Sequence, residues 1–126
     1  MASRIVVFGG AGFLGSHTVD ALINEGHEVT VFDTADTGKP DERYRFIKGD
    51  ITDSNSVARA VKSQDIVYNF AAIADLNEGL KRPLDTVLVN IYGNAIILDE
   101  SVKAGVSKFI YASTVYVNSR DGGFYR

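Results

Sequence analysis

Three glycines at intervals of three, Gly9, Gly12 and Gly15, separate a short apolar run from a segment of helical period. Ile5-Val6-Val7-Phe8 is apolar at every position, as a strand covered on both faces must be, and Gly9 ends it. The periodicity predicts a helix over residues 13–25, with Leu14, Ala21 and Leu22 near one face and Gly26 as its left-handed stop. In such a strand–turn–helix unit the first glycine permits the tight turn. The second lets backbone approach a diphosphate, and the third lets the helix pack closely on the strand. A diphosphate would then meet the unpaired N–H groups at the positive end of the helix. The plainer alternative is that the glycines only punctuate a turn.

The alternation of β-rich runs and helical segments continues along the chain, which points to successive βαβ units and a parallel sheet. Glu28 to Asp33 reads as the second strand, and residues 34–42, with Gly38 and Pro40, as a loop. Residues 44–49 alternate more and read as a third strand nearer a sheet edge. Asp53 or Ser54 would cap a short helix ending at Val61, and residues 65–70 make a fourth strand. A loop leads to a longer helix over residues 86–104 closed by Gly105, and residues 108–113 give a fifth strand. Right-handed crossovers order these strands 3-2-1-4-5, a doubly wound α/β sheet of Rossmann type without a sixth strand. The 126 residues suffice for one such domain and not for a substrate domain besides.

Asp33 gives the glycine loop its meaning. It ends the second strand 18 residues after Gly15, near the spacing of about 20 at which a carboxylate meets the adenosine ribose hydroxyls of a dinucleotide. A carboxylate there repels a 2′-phosphate, and the first following basic residue is Lys39, so NAD is favoured over NADP. The alternative for Asp33 is a turn residue at a strand end.

Composition removes other classes. A net charge of −3 with scattered Lys and Arg argues against a nucleic-acid partner. The absence of cysteine excludes disulfides, thiolate metal sites and a catalytic thiol. The four-residue apolar run at residues 5–8 is too short for a signal peptide, and no stretch approaches the roughly twenty apolar residues of a membrane span. A cytoplasmic protein with no membrane and no metal is the expectation.

The spacing G-x-x-G-x-x-G, with Asp33 and several later motifs, resembles the extended short-chain dehydrogenase/reductase family, whose best-known members are NAD-dependent nucleotide-sugar epimerases and dehydratases. Gly49-Asp50-Ile51-Thr52-Asp53 is similar to the family's G-D-x-x-D turn, which implies that Asp50 and Ile51 meet the adenine; read alone, Asp50 is a helix-entry residue. Asn69-Phe70-Ala71-Ala72 resembles the motif whose paired alanines let the cofactor lie close to the backbone. The resemblance thus implies a cofactor set of Gly9, Gly12, Phe13, Leu14, Gly15, Asp33, Asp50, Ile51, Ala71 and Ala72. Asn90 matches an asparagine that ties the fourth helix to a neighbouring strand.

Tyr111-Ala112-Ser113-Thr114-Val115-Tyr116 is similar to the segment carrying the family's active-site hydroxyl, with Thr114 the first choice and Ser113 the second; either could be a plain strand-end hydroxyl. In the family that hydroxyl bonds the substrate oxygen while a tyrosinate of a Y-x-x-x-K motif moves the proton. The one literal match, residues 44–48, lies on the third strand, too far toward the adenine side to reach a nicotinamide. Tyr125 is the candidate by position, and its lysine would fall beyond Arg126.

The resemblance therefore implies the amino-terminal, NAD-binding portion of a nucleotide-sugar epimerase or dehydratase, with the substrate domain absent and no substantial turnover by this chain alone. Two other readings stand beside it: a non-catalytic NAD-binding module serving as a sensor or partner subunit, and another dehydrogenase of the extended family, such as a hydroxysteroid type. A fifth strand left as an open apolar edge would favour a homo-oligomer.

Overall fold

A computed structural model of the chain describes residues 1–36, 38, 41–114 and 117. Five parallel strands, β1 (Arg4–Phe8), β2 (Glu28–Asp33), β3 (Arg45–Lys48), β4 (Ile66–Asn69) and β5 (Lys108–Tyr111), form one sheet in the order β3-β2-β1-β4-β5. This is the doubly wound order expected from the sequence. Helices α1 (Phe13–Asn24), α2 (Ser54–Val61), α3 (Leu76–Lys81), α4 (Pro83–Val87) and α5 (Asn94–Lys103) lie in the connections β1–β2, β3–β4 and β4–β5.

The unbroken apolar run of β1 follows from its place at the centre of the sheet. Val6 and Phe8 pack into one layer with Val57, Val61 and Ile97, while Ile5 and Val7 pack into the other with Val19, Val29 and Val31. Phe8 stands level with Phe32 on β2 and Asn69 on β4. The residues that follow, Gly9, Asp33 and Phe70, therefore emerge together on the carboxyl rim. That rim is where a parallel α/β sheet offers a crevice, at the point where strand order reverses.

Helix α1 lies where the sequence places it, and Gly26, at φ +85°, ends it as expected. Its buried face differs. Gly15 and Val19 are buried and Leu22 half-buried, whereas Leu14 is 61% exposed and Ala21 is also exposed. The cause is Gly15, which must face the preceding loop because no side chain fits there. At about 100° per residue, that choice sets the face at positions 15, 19 and 22 and turns Leu14 and Ala21 away.

The stretch after β4 departs further from expectation. Where the sequence suggests a loop, Asp75 caps α3 by accepting the N–H of Asn77 at 2.7 Å. The helix expected over 86–104 begins earlier, at Pro83, whose missing N–H costs nothing at a first helical position. It is also not uniform, because Leu88–Gly93 forms a π-helical segment before α5. Gly93 there lies against Ile51, so close that a Cβ would sit 2.6 Å from the Ile51 Cδ1. Strands β3, β4 and β5 are each two residues shorter than the expected 44–49, 65–70 and 108–113. Bonds from Phe70 N–H to Phe8 and from Ala112 N–H to Asn69 nevertheless carry the pairing past the ends of β4 and β5. Among the described residues β5 has β4 as its one strand partner, as foreseen for an edge.

Two outcomes test this packing. Ile97 is fully buried between α5 and the sheet, so Ile97→Ala is expected to cost about 3 kcal/mol in urea unfolding, against well under 1 for the half-exposed Leu98→Ala. Asp53, which caps α2 and receives the Ser56 hydroxyl, and Asp65, which receives the Arg4 N–H, both have carboxyls held below the usual range by those bonds. A lowered folded pKa stabilises above the unfolded value and is lost as pH falls through the folded one. Stability should therefore decline on acidification below about pH 4, and Asp53→Asn should flatten that decline.

Candidate functional site

The rim is built around close backbone contacts. Gly9 has φ +76°, and a Cβ on it would lie 2.7 Å from the Ala71 nitrogen, so the turn after β1 touches the segment after β4. A Cβ on Gly15 would overlap the Gly9 carbonyl oxygen, so the first turn of α1 rests on the same glycine. Gly12 is the extended N-cap residue of α1 and offers no side-chain cap. The first turn of the helix carries no carboxylate to compete for its first N–H groups.

Asp33 is tied into this loop. Its Oδ2 accepts the Ala11 N–H at 3.0 Å and its Oδ1 the Ala35 N–H at 3.0 Å. The carboxylate is therefore fixed by the glycine loop itself, and each oxygen retains a second lone pair for a ligand hydroxyl. Asp50 is held in a similar way, its Oδ1 accepting the N–H of Thr52 at 2.9 Å and the Thr52 hydroxyl at 2.8 Å. Ile51 beside it is nearly buried, pinned from behind by Gly93.

These groups converge on a cleft of about 400 Å³, large enough for much of a nucleotide. Gly9, Gly12, Asp33, Asp50, Ile51, Ala71 and Ala72, seven of the ten residues expected to form a cofactor set, line it together. Phe13 and Leu14 do not; they stand exposed on the first turn of α1, with Phe13 edge-on to His17 at 5.0 Å between ring centres. Gly15 lies behind the loop, a packing residue under the cleft.

A smaller cavity of about 110 Å³ shares Phe70, Ala71 and Ala72 with the first and extends to Asn90, Tyr111 and Ala112 at the end of β5. Ser113 and Thr114 follow directly, and Val117 N–H turns back to the Thr114 carbonyl at 3.3 Å. Tyr125 lies outside the described residues. The tyrosine of the literal Y-x-x-x-K match, Tyr44, precedes β3, at the opposite edge of the sheet from β5, as foreseen.

Two asparagines hold the wall between the cavities. Asn90 accepts the Ile73 N–H at 2.8 Å and donates to the Ile73 carbonyl at 3.0 Å, so it ties the helix to the loop after β4 rather than to a strand. Asn69, 3% exposed, donates to Asn94 at 2.7 Å and accepts the Ala71 N–H at 3.0 Å. Its signal in the sequence was a lone amide in an otherwise apolar strand. The cleft also contains a residue that sequence reading missed, Arg82, together with Ile73 and Val89. Among the described residues there is no group of three or more potential metal ligands and no helix long and apolar enough to cross a membrane.

The model of the family described as "NAD dependent epimerase/dehydratase family" matches residues 5–123. A dTDP-D-glucose 4,6-dehydratase of Mus musculus is 33% identical over 98% of this chain, which covers 39% of that protein. A UDP-glucose 4-epimerase of Haemophilus influenzae is 33% identical over 90% of the chain, covering 37% of that protein. The crystal structure of Thermus thermophilus UDP-glucose 4-epimerase in complex with NAD superposes with a TM-score of 0.83 at 33% identity, over 98% of this chain and 42% of the other. The chain thus spans about two fifths of the length of the relatives it matches.

Because a Cβ on Gly15 would overlap the backbone of Gly9 and Gly10, Gly15→Ala is expected to destabilise the fold by at least about 2 kcal/mol or to prevent folding. Gly12→Ala, whose Cβ would come no nearer than 3.3 Å to the Gly9 oxygen, should unfold within about 1 kcal/mol of the parent. Paired urea titrations distinguish these outcomes.

Proposed function

The chain belongs to the NAD dependent epimerase/dehydratase family, and we propose that it forms the NAD-binding portion of an enzyme acting by hydride transfer at a carbon of a nucleotide-linked sugar. The observation that carries this reading is the tie between Asp33 and the glycine loop. One bond, Ala11 N–H to Asp33, sets the ribose-accepting carboxylate and the phosphate-binding turn in a fixed relation. Such preorganisation is what recognition of one adenosine diphosphate unit requires.

The residues present fit the cofactor. The turn at Gly9 and Gly12 is bare enough for a diphosphate to approach the backbone, and the first N–H groups of α1 supply donors. Asp33 accepts from the adenosine ribose and disfavours a 2′-phosphate. Asp50 and Ile51 hold the adenine by one acceptor and one apolar face, and the small Ala71 and Ala72 let the chain of the cofactor pass toward β5. NAD, when bound, supplies the hydride-accepting carbon. On the β5 side Thr114, with Ser113 second, would hold the sugar oxygen, and Tyr125 would move its proton. The substrate domain and the lysine partner belong to a longer protein in this reading, so this stretch alone should turn over little substrate.

Calorimetric titration of NAD and NADP into the purified chain tests the reading. Saturable NAD binding is expected, tighter than NADP, with Asp33→Ala losing tenfold or more toward NAD, roughly one charge-assisted hydrogen bond, and losing its preference between the two. A folded chain that binds neither nucleotide would sink it.

A further inference from the structure

Resting on the dinucleotide reading above, we propose that Arg82 is a phosphate-facing residue of the cleft, the cationic counterpart of the glycine loop on the opposite side of the strand-order reversal. The loops after β1 and β4 form the two walls of that crevice, since these strands are neighbours in the sheet. Gly9 and Gly12 belong to the β1 wall, and Arg82, reached through the β4 connection, lines the same cleft. The other charged residues among its described lining are Asp33 and Asp50, both negative. A diphosphate brings two more negative charges, so a cation on the far wall offsets a repulsion that helix N–H groups alone must otherwise carry.

The backbone around Arg82 is shaped to present it. Pro83 disfavours helix at the preceding residue, and Arg82 accordingly sits at φ −131°, ψ 61°, breaking α3 from α4. Its N–H donates to the Glu78 carbonyl at 2.9 Å, and its carbonyl accepts the N–H of Thr86 at 3.0 Å and the Thr86 hydroxyl at 2.8 Å. The side chain, 54% exposed, donates from Nε to Asp85 at 2.9 Å. That bond orients the guanidinium through one of its five donors.

The test titrates NAD and ADP into the parent chain, Arg82→Gln and Arg82→Lys at low and moderate salt. Arg82→Gln is expected to lose roughly 5- to 30-fold toward both nucleotides, and Arg82→Lys no more than about threefold. The salt dependence of binding should be shallower in Arg82→Gln. Parent-like affinity in Arg82→Gln, or equal losses in both variants with unchanged salt dependence, would overturn the assignment while leaving the cofactor reading intact. If the parent binds neither nucleotide, the cofactor reading fails and takes this assignment with it.

Discussion

The meeting of Gly9 with Gly15 and Ala71 is the contact on which the rest of this structure depends. At that point the end of β1, the start of α1 and the end of β4 approach one another as bare backbone. Close-packed interiors transmit displacement rather than absorb it, so one methyl there would move a helix, not a side chain. The phase of α1, its choice of Val19 and Leu22 as core residues and the aim of its positive end all follow from that approach. A loop that serves packing and the loop proposed to receive a diphosphate are here the same set of atoms.

Around that contact the polar groups are arranged so that each fixes another. Asp33 is held by the loop it would cooperate with, Asp50 by Thr52, Asn69 by Asn94 and Ala71, and Asn90 by both polar atoms of the Ile73 backbone. Buried or half-buried amides in such positions cost stability unless satisfied, and here they are satisfied by the backbone of Ala71 and Ile73, which line the cleft, and by the Asn94 side chain. The walls are thereby stiffened without apolar bulk, which would have filled the space. The π-helical turn at Leu88–Gly93 serves the same end, bringing a glycine against Ile51 so that the isoleucine can form one wall of the cleft.

The sheet was legible in the sequence because β1 and β2 carry their positions in their composition: a strand covered on both faces has no polar residue to confuse the reading. Asp33 and the glycines were legible because spacing alone places them. What was missed has a common cause. The face of α1 depends on where Gly15 must point, and the early start of α4 and the cap of α3 depend on Asp75 and Pro83 acting locally, which hydrophobic period does not reveal. Arg82 was invisible for the same reason. An arginine in a polar stretch looks like solvated surface until the helix break beside it returns the side chain to the cleft.

The two ends of the crevice differ in what the chain supplies. Toward β3, the larger cleft is lined by Phe32, Asp33, Asp50 and Ile51, so carboxylates and apolar faces are in place. Toward β5, the smaller cavity is walled by Tyr111 and Ala112 at an edge strand whose outer side carries no partner strand among the described residues. A dehydratase and an epimerase, named for different reactions, match this one stretch at equal identity. A region that fits two chemistries equally well encodes what they share. In the proposed reading it accordingly holds the unreactive half of a dinucleotide rigidly, while the choice of sugar and of reaction would fall to whatever surface closes over the β5 side.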